Sequence, residues 1–484
     1  MPQIQLRNIS FSYSSQPLLN DISLNVGDGE RACILGPNGS GKSTLLKIIA
    51  GEITPDSGEV KGRAALQRVP DKGKVEDYIH ERLAEKYTII ERFNQAVTTM
   101  SEDYDELLGL MTSQDLWDLD TQVDALLGGI GRDKDLSELS PGQRARLTLA
   151  LVEMATPEVL VLDEPTNHLD KQAIQKLIQM VNSWHGPVIM VSHDRAFIEA
   201  TATVIYDLDV DCWQAMATAK GEECGGIYRC NGTYSNYLVE KAAARENHQE
   251  LHQQQQADKK SITVHRRASE AIGAGGSKLA NATGIYKKFY SDKAANTAKN
   301  RTRADDKKLE DLKGREVRKP RPTTFDFNIP PVRDIGGIAI PEANLAYGEH
   351  LLVTGPNGVG KSTWLRKIVK AHADEVTFIP QELPEDSEEK LGEMAKGFLH
   401  PRLWNTPMRE LSAGNQRRAQ LAKAIASKPE ILVIDEPTNY LDVDSIQLLE
   451  AQLIQWNGTL IIASHDEWLI DHWTGERYQL SFDS

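Results

Sequence analysis

Two stretches of this chain are built to carry hydrolytic chemistry, and they are near copies. Val159-Leu160-Val161-Leu162-Asp163-Glu164-Pro165-Thr166-Asn167-His168-Leu169-Asp170 sets four apolar residues ahead of two acids and a proline, and Ile431-Leu432-Val433-Ile434-Asp435-Glu436-Pro437-Thr438-Asn439-Tyr440-Leu441-Asp442 does so again. Such a run reads as a buried parallel strand that delivers carboxylates to its open end. There the first acid can orient a divalent cation, while the second aligns and deprotonates a water.

A glycine-rich loop precedes each pair of acids. Gly36-Pro37-Asn38-Gly39-Ser40-Gly41-Lys42-Ser43-Thr44 follows the apolar run Arg31 to Leu35, and Gly355-Pro356-Asn357-Gly358-Val359-Gly360-Lys361-Ser362-Thr363 follows Leu351 to Val353. Both fit GxxxxGK[ST] between a strand and a helix, the first helix being expected over Leu45 to Ala50. The glycines clear side chains so that backbone N–H groups close on phosphate at the positive end of a helix. Lys42 and Lys361 would hold the β- and γ-phosphates, and Ser43 and Ser362 would give a hydroxyl to Mg²⁺.

A third element is Leu139-Ser140-Pro141-Gly142-Gln143-Arg144, ahead of a helix expected from Ala145 to Met154. A Ser-x-Gly loop at a helix start can bind phosphate, although Ser-Pro is also ordinary helix-start punctuation. Its place shortly before the Asp163-Glu164 strand favours phosphate.

The elements that hold these groups follow from pattern. Ile4 to Val26 alternates apolar and polar residues, as a hairpin sheet would, and Val60 to Val69 reads as a further strand with Gln67 near its end. Val75 to Gly131 is helical in period, most of its apolar residues being core. At 484 residues, with 40% hydrophobic and 26% charged content, the chain calls for two soluble globular domains and something between them. No apolar run of membrane length occurs, and Met1 to Arg7 lacks the order of a secretion signal, so a cytoplasmic protein is expected. Cys33, Cys212, Cys224 and Cys230 have no CxxC pair and no zinc-site histidines, and read as reduced structural thiols.

Charge divides the chain. Net charge is −15, yet Lys241 to Pro320 carries 19 Lys and Arg against 10 Asp and Glu. A basic middle between acidic flanks argues against indiscriminate nucleic-acid binding and for a localised contact. Helix formers on both sides of Gly273-Ala274-Gly275-Gly276 suggest two helices and a turn. Arg266, Arg267, Lys278, Lys287 and Lys288 lie near that turn, with Arg301, Arg303, Lys307 and Lys308 on the returning side.

In order, the phosphate loop, Gln67, Leu139 to Gln143, Asp163-Glu164, Asn167 to Asp170 and Ser192-His193-Asp194 resemble an ABC-type ATPase domain. Lys361, Gln381, Leu411-Ser412-Ala413-Gly414-Asn415, Asp435-Glu436, Asn439 to Asp442 and Ser464-His465-Asp466 repeat the series. Two such domains, a charged segment between them and Gly232-Thr233-Tyr234-Ser235-Asn236-Tyr237-Leu238-Val239-Glu240-Lys241 before it make the chain similar to the ABC-F family. The resemblance implies an α/β fold with two P-loop NTPase domains of ABC type, at 1–240 and 321–484, joined by a helical hairpin linker at 241–320.

It further implies an ATPase, with no substrate pocket other than that for ATP, whose two domains sandwich two ATP molecules head to tail within a monomer. One site would join Gly36, Asn38, Gly39, Gly41, Lys42, Ser43, Thr44, Gln67, Asp163, Glu164 and His193 to Ser412 and Gly414. The other would join Gly355, Asn357, Gly358, Gly360, Lys361, Ser362, Thr363, Gln381, Asp435, Glu436 and His465 to Ser140 and Gly142. Mg²⁺ would meet Ser43, Gln67 and Asp163, or Ser362, Gln381 and Asp435; Glu164 and Glu436 would activate water; His193 and His465 would touch the γ-phosphate. Tyr13 would stack on one adenine, and Phe327 is the candidate for the other.

The implied partner is the ribosome, met through rRNA and tRNA by a linker entering from the tRNA exit site, with translation or antibiotic resistance as the outcome and no DNA. An ATPase subunit serving a separate membrane permease is the alternative. Two features depart from the family pattern. Pro141, Ala413 and Asn415 alter the signature loops, and only 30 positions separate Gln381 from Leu411 against 72 from Gln67 to Leu139, so the second helical subdomain is expected to be reduced.

Overall fold

The computed structural model describes the chain apart from residues 1–2, 16, 63, 68, 71, 100–101, 168, 276–284, 321–337, 341–342, 357, 385 and 482–484. His168, Lys278, Phe327 and Asn357 therefore lie outside the described residues, as do the side chains of Lys287 and Lys288. The chain divides into two compact units, one of residues 1–208, 229–235 and 323–484, the other of residues 209–228 and 236–322.

The larger unit contains the same parallel sheet twice. In the first half the strand order is Ala65–Leu66, Leu160–Asp163, Val188–Val191, Arg31–Leu35, Val204–Asp207, with Tyr228–Asn231 at the edge. In the second it is Val376–Ile379, Ile431–Asp435, Thr459–Ala463, His350–Thr354, Glu476–Gln479. The central strands are apolar because helices cover both faces of a parallel sheet, and Leu160, Val161, Leu432, Val433 and Ile434 are fully buried. Register then decides chemistry. Asp163 lies opposite Val191 and Asp435 opposite Ala463, so each acidic strand end abuts the strand that leads into Ser192-His193 or Ser464-His465.

The hairpin expected near the N-terminus is Ile4–Phe11 with Leu19–Val26, antiparallel and alternately buried. The single strand expected from Val60 to Val69 is in fact divided. Ser57–Lys61 joins the antiparallel sheet and Ala65–Leu66 the parallel one. Gly62, at φ +104°, makes the break, and a Cβ there would stand 2.5 Å from the Gln3 carbonyl oxygen.

Between Gln67 and Ser140 stand helices Val75–Arg82, Ala84–Thr99, Tyr104–Ser113 and Leu119–Leu127, closed around Tyr78, Ile79, Phe93, Leu107 and Val123. The matching interval of the second half holds, among the described residues, only short 3₁₀ turns such as Gly392–Ala395 and Met408–Glu410, whose Ala395, Phe398 and Met408 join the main core.

The smaller unit is dominated by helix Tyr234–Gly275, which begins in the larger unit, and helix Ile285–Gly314. The first continues through Gly275, and at 1.5 Å per residue its 42 residues span roughly 60 Å. The two run antiparallel. His265 Nδ1 meets Asp305 Oδ2 at 2.6 Å, Arg266 meets Asp306 at 3.0 Å, and Gln255 bonds the Arg315 carbonyl and the Val317 N–H. Arg266 is thus engaged within the hairpin, while Arg267, Arg301, Arg303, Lys307 and Lys308 are exposed. Among the described residues no helix is long and apolar enough to cross a membrane, and no cluster of His, Cys, Asp or Glu could hold a metal by itself. All four cysteines are free thiols.

Candidate nucleotide-hydrolysing sites

Each phosphate loop turns from the end of a central strand into a helix, Lys42–Ile49 or Lys361–Ala371. Gly41 and Gly360 stand at those helix starts with φ near +94° and +100°. Gly41 is also enclosed, since a Cβ there would lie 2.8 Å from Leu19 Cδ2, whereas Gly39 and Gly358 at φ +81° face open space. At Gly39 and Gly358 the loop therefore presents backbone with no side chain over it. Lys42 Nζ donates to the Gly36 and Pro37 carbonyls at 2.8 and 3.1 Å, and Lys361 Nζ to Gly355 at 2.8 Å. Both ammonium groups are held over their loops, where a phosphate would sit.

The strand ends bring the acids to these lysines. Ser43 Oγ donates to Asp163 Oδ1 at 3.3 Å, an alcohol beside a carboxylate as a divalent cation requires. Neither carboxylate oxygen of the buried Asp435 has a hydrogen bond of good geometry. Burial pushes its pKa up, and the neighbouring Ser362 hydroxyl tempers that rise. The unpartnered oxygen pair of Asp435, and the Ser43 hydroxyl beside Asp163, are donor sets that fit Mg²⁺.

Glu164 and Glu436 follow in an unusual backbone state, with φ of +48° and +50°. A non-glycine residue pays for that conformation, and here it is fixed by N–H bonds to Val191 and Ala463 at 2.8 Å each. Each carboxylate accepts from the backbone N–H of its histidine, His193 at 3.1 Å and His465 at 3.3 Å. Side chains meet as well, His193 Nε2 with Glu164 at 3.2 Å and His465 Nδ1 with Glu436 at 2.8 Å.

The two pairs differ in charge. Burial pushes Glu164 up to about 7 and His193 down to about 4, giving a neutral pair below neutrality. At the other site the hydrogen bond that the His465 ring donates to the Glu436 carboxylate raises His465, which favours the charged imidazole. His193 Nδ1 is buried without a hydrogen-bond partner, in keeping with a site for an anionic oxygen.

The raised Glu164 has a consequence for stability. Its carboxyl ionises near 4.5 when unfolded but near 7 when folded, so the folded state is penalised as pH rises through that window. In nucleotide-free protein, Glu164→Gln is expected to gain stability over wild type between pH 5 and 8 by on the order of 2 kcal/mol. Denaturation midpoints at both pH values check this, and a difference that stays flat with pH would contradict it.

The two halves also meet at the first phosphate loop. The Asn38 N–H donates to Asp442 at 3.3 Å, and Asn38 Nδ2 to the Tyr440 carbonyl at 3.1 Å. Gly414 lies so close that a Cβ would stand 2.9 Å from Asn38 Nδ2 and 2.8 Å from the Tyr440 carbonyl oxygen. The structure thus places Gly414, in the first turn of helix Ala413–Ala426, beside the loop that holds Lys42. The reciprocal contact would run through Asn357, outside the described residues. Ser140 caps helix Pro141–Ala155 in a reciprocal box with Gln143, so Pro141 is accommodated at the first helical position.

Other expected residues are less engaged. The Gln67 amide donates to the Ala65 carbonyl at 2.8 Å, Gln381 is exposed, and Tyr13 is 67% exposed, resting edge-on against Phe11. Two buried arginines escaped the motif reading. Arg195, directly after Asp194, pairs with Glu450 and Asp466 of the other half, and Arg417 reaches the backbone of Asp435 and Glu436. A lone Arg in a charged helix gives no sequence signal of burial; the apolar residues around Arg417 at helical spacing were the available hint.

A repeated parallel sheet with a phosphate loop, acidic strand end and following histidine defines a tandem P-loop ATPase of ABC type. The family model described as ABC transporter matches residues 19–167 and 381–439. The tylosin resistance ATP-binding protein TlrC of Streptomyces fradiae is 30% identical over 550 residues, spanning 99% of this chain and 97% of that protein. The energy-dependent translational throttle protein EttA of Mycobacterium tuberculosis is 27% identical, spanning 96% and 89%, and ATP-binding protein Uup of Escherichia coli is 28% identical, spanning 98% and 79%. The solved RNase-L inhibitor shares the fold, at TM-score 0.51 and 17% identity over 96% of this chain and 86% of its own. The chain belongs to the ABC-F family of ATPases with tandem ABC domains.

Proposed function

We propose that this protein is a cytoplasmic, monomeric ATP switch that binds the ribosome when its two halves close on ATP and leaves after hydrolysis. The observation that carries the closed sandwich is the contact of Asn38 with Tyr440, Asp442 and Gly414, which seats one half's signature loop on the other's phosphate loop. In this reading Lys42 and Lys361 hold the β- and γ-phosphates, and Ser412 with Gly414, or Ser140 with Gly142, complete the opposite site. Ser43, Gln67 and Asp163, and Ser362, Gln381 and Asp435, hold Mg²⁺, which when bound neutralises phosphate charge. Glu164 and Glu436 orient and deprotonate water, and His193 and His465 sense the γ-phosphate.

Support for the ribosome comes from the exposed cations of a helical hairpin on an otherwise acidic chain, which suit phosphate contacts to structured RNA. The relatives' names, a translational throttle and a tylosin resistance protein, agree with action on translation or resistance, and the tRNA exit site is the docking position this reading assigns. Replacing both Glu164 and Glu436 by Gln is expected to hold the protein on ribosomes in ATP. Sedimentation through sucrose checks it. A double variant that stays in the free fraction would remove the ribosome from this reading, and recovery with membranes regardless of the hairpin would favour a transporter subunit instead.

A further inference from the structure

Arg417 sits on the signature helix Ala413–Ala426 with its side chain fully buried, five positions after Ser412. Its guanidinium joins three pieces of backbone. Nη1 donates to the Pro380 carbonyl at 2.6 Å, and Nη2 donates to the carbonyls of Asp435 and Glu436, each at 2.7 Å. Gln420 Oε1 takes a further bond at 3.1 Å. Pro380 immediately precedes Gln381, so one side chain ties the approach to Gln381, the peptide of the acidic strand end and the helix that begins at Ser412. Burial lowers its pKa to about 10, which still leaves it charged at neutral pH, with Asp435 and Glu436 supporting the charge.

The position five residues after Ser140 is Ala145, which has no side chain to make such a tie. In the first half the carbonyl before Gln67 is instead held from the helical subdomain, where Arg82 Nη2 donates to Leu66 at 2.8 Å. Among the described residues the second half has only 3₁₀ turns in that interval, and Arg417 reaches the equivalent carbonyl from the signature helix.

We propose that Arg417 is a positioning residue for hydrolysis at the second site, fixing the Glu436 peptide and the approach to Gln381 to the signature helix. The inference rests on the reading of Glu436 as the group that activates water. Glu436 holds φ +50°, with its N–H tied to Ala463 on one side and its carbonyl to Arg417 on the other. Without the guanidinium that peptide is free to relax, and a base misplaced by about 1 Å can lose on the order of 10²-fold in rate. Gly414 of the same helix lies beside Asn38 of the Lys42 loop, so the same side chain also links the signature loop of one site to the base of the other.

The test is steady-state ATP hydrolysis by the full chain without ribosomes, which separates this inference from the ribosome reading. Arg417→Ala is expected to lower kcat by roughly tenfold or more while KM for ATP moves less than about threefold, the pattern of an interaction made in the transition state. Arg417→Lys, able to reach one carbonyl as a point charge, is expected to recover part of the loss. In single-turnover measurements, where release from the other site does not limit the rate, the loss should persist in the Glu164→Gln background, and in the Glu436→Gln background Arg417→Ala should add less than about twofold. Arg417→Gln carries the same comparison where the alanine variant does not fold. Equal losses in both backgrounds, a rise in KM with kcat kept, or no loss in any variant would overturn the proposal.

Discussion

Arg195→Ala is expected to destabilise the protein by about 3–5 kcal/mol, the effect of leaving buried carboxylates without their countercharge. Arg195 has no exposed side-chain surface, and its guanidinium makes a two-pronged contact with Glu450 at 2.5 and 2.6 Å and a third bond to Asp466 at 2.8 Å. Trp468 lies under it, with the guanidinium carbon 5.8 Å from the ring centroid. Burial works against the charge on Arg195, but its bonds to Glu450 and Asp466 more than offset that and keep it protonated. Burial likewise raises Glu450, against the pull of Arg195.

Removing only the cation is therefore the damaging change. Adding Glu450→Gln and Asp466→Asn to Arg195→Met should restore much of the loss, since replacing a whole buried ionic group is often close to neutral. Chemical denaturation of the single and triple variants measures both. A single-variant change below about 1 kcal/mol would show that solvent already screens the cluster. Because Arg195 follows His193-Asp194 and Asp466 follows His465, the same cluster joins the two histidine turns.

That cluster shows where sequence reading reaches its limit. The phosphate loops, acidic strand ends and their histidines were legible because each is a local pattern, a strand, a turn and a helix start within some ten residues. The repeated strand order was implied once the motifs recurred in the same sequence. Arg195 and Arg417 were not legible, because their partners Glu450, Asp466 and the Pro380 carbonyl are distant in sequence and an Arg without those partners would face water. The split of the expected Val60 to Val69 strand has a similar cause. Period-two alternation tells that residues are extended, and only the approach of Gln3 to Gly62 decides that two sheets share them. Arg266 was read as one of the basic residues clustered near the hairpin turn, and there Asp306 of the returning helix pairs with it.

Replacing Glu164 or Glu436 by Gln is expected to slow ATP hydrolysis at the altered site by about 10²–10⁴-fold, the usual contribution of a placed general base. The size of the fall in total rate then distinguishes two arrangements. Independent sites would leave roughly half the wild-type rate in each single variant. Coupled sites would leave far less, because a closed sandwich cannot release product from one site while the other still holds ATP. The geometry favours coupling: Asn38 touches Tyr440, Asp442 and Gly414, and the residues from Glu436 to Asp442 are a single tight turn, with Asn439 and Leu441 N–H groups bonded to Glu436 and Thr438. A change at Glu436 is thus felt at the loop of Lys42 within one turn of chain. Each single variant is accordingly expected to retain less than about a tenth of the wild-type rate in a phosphate-release assay, with ATP binding kept. Half-rate single variants would establish that the sites fire independently despite this contact.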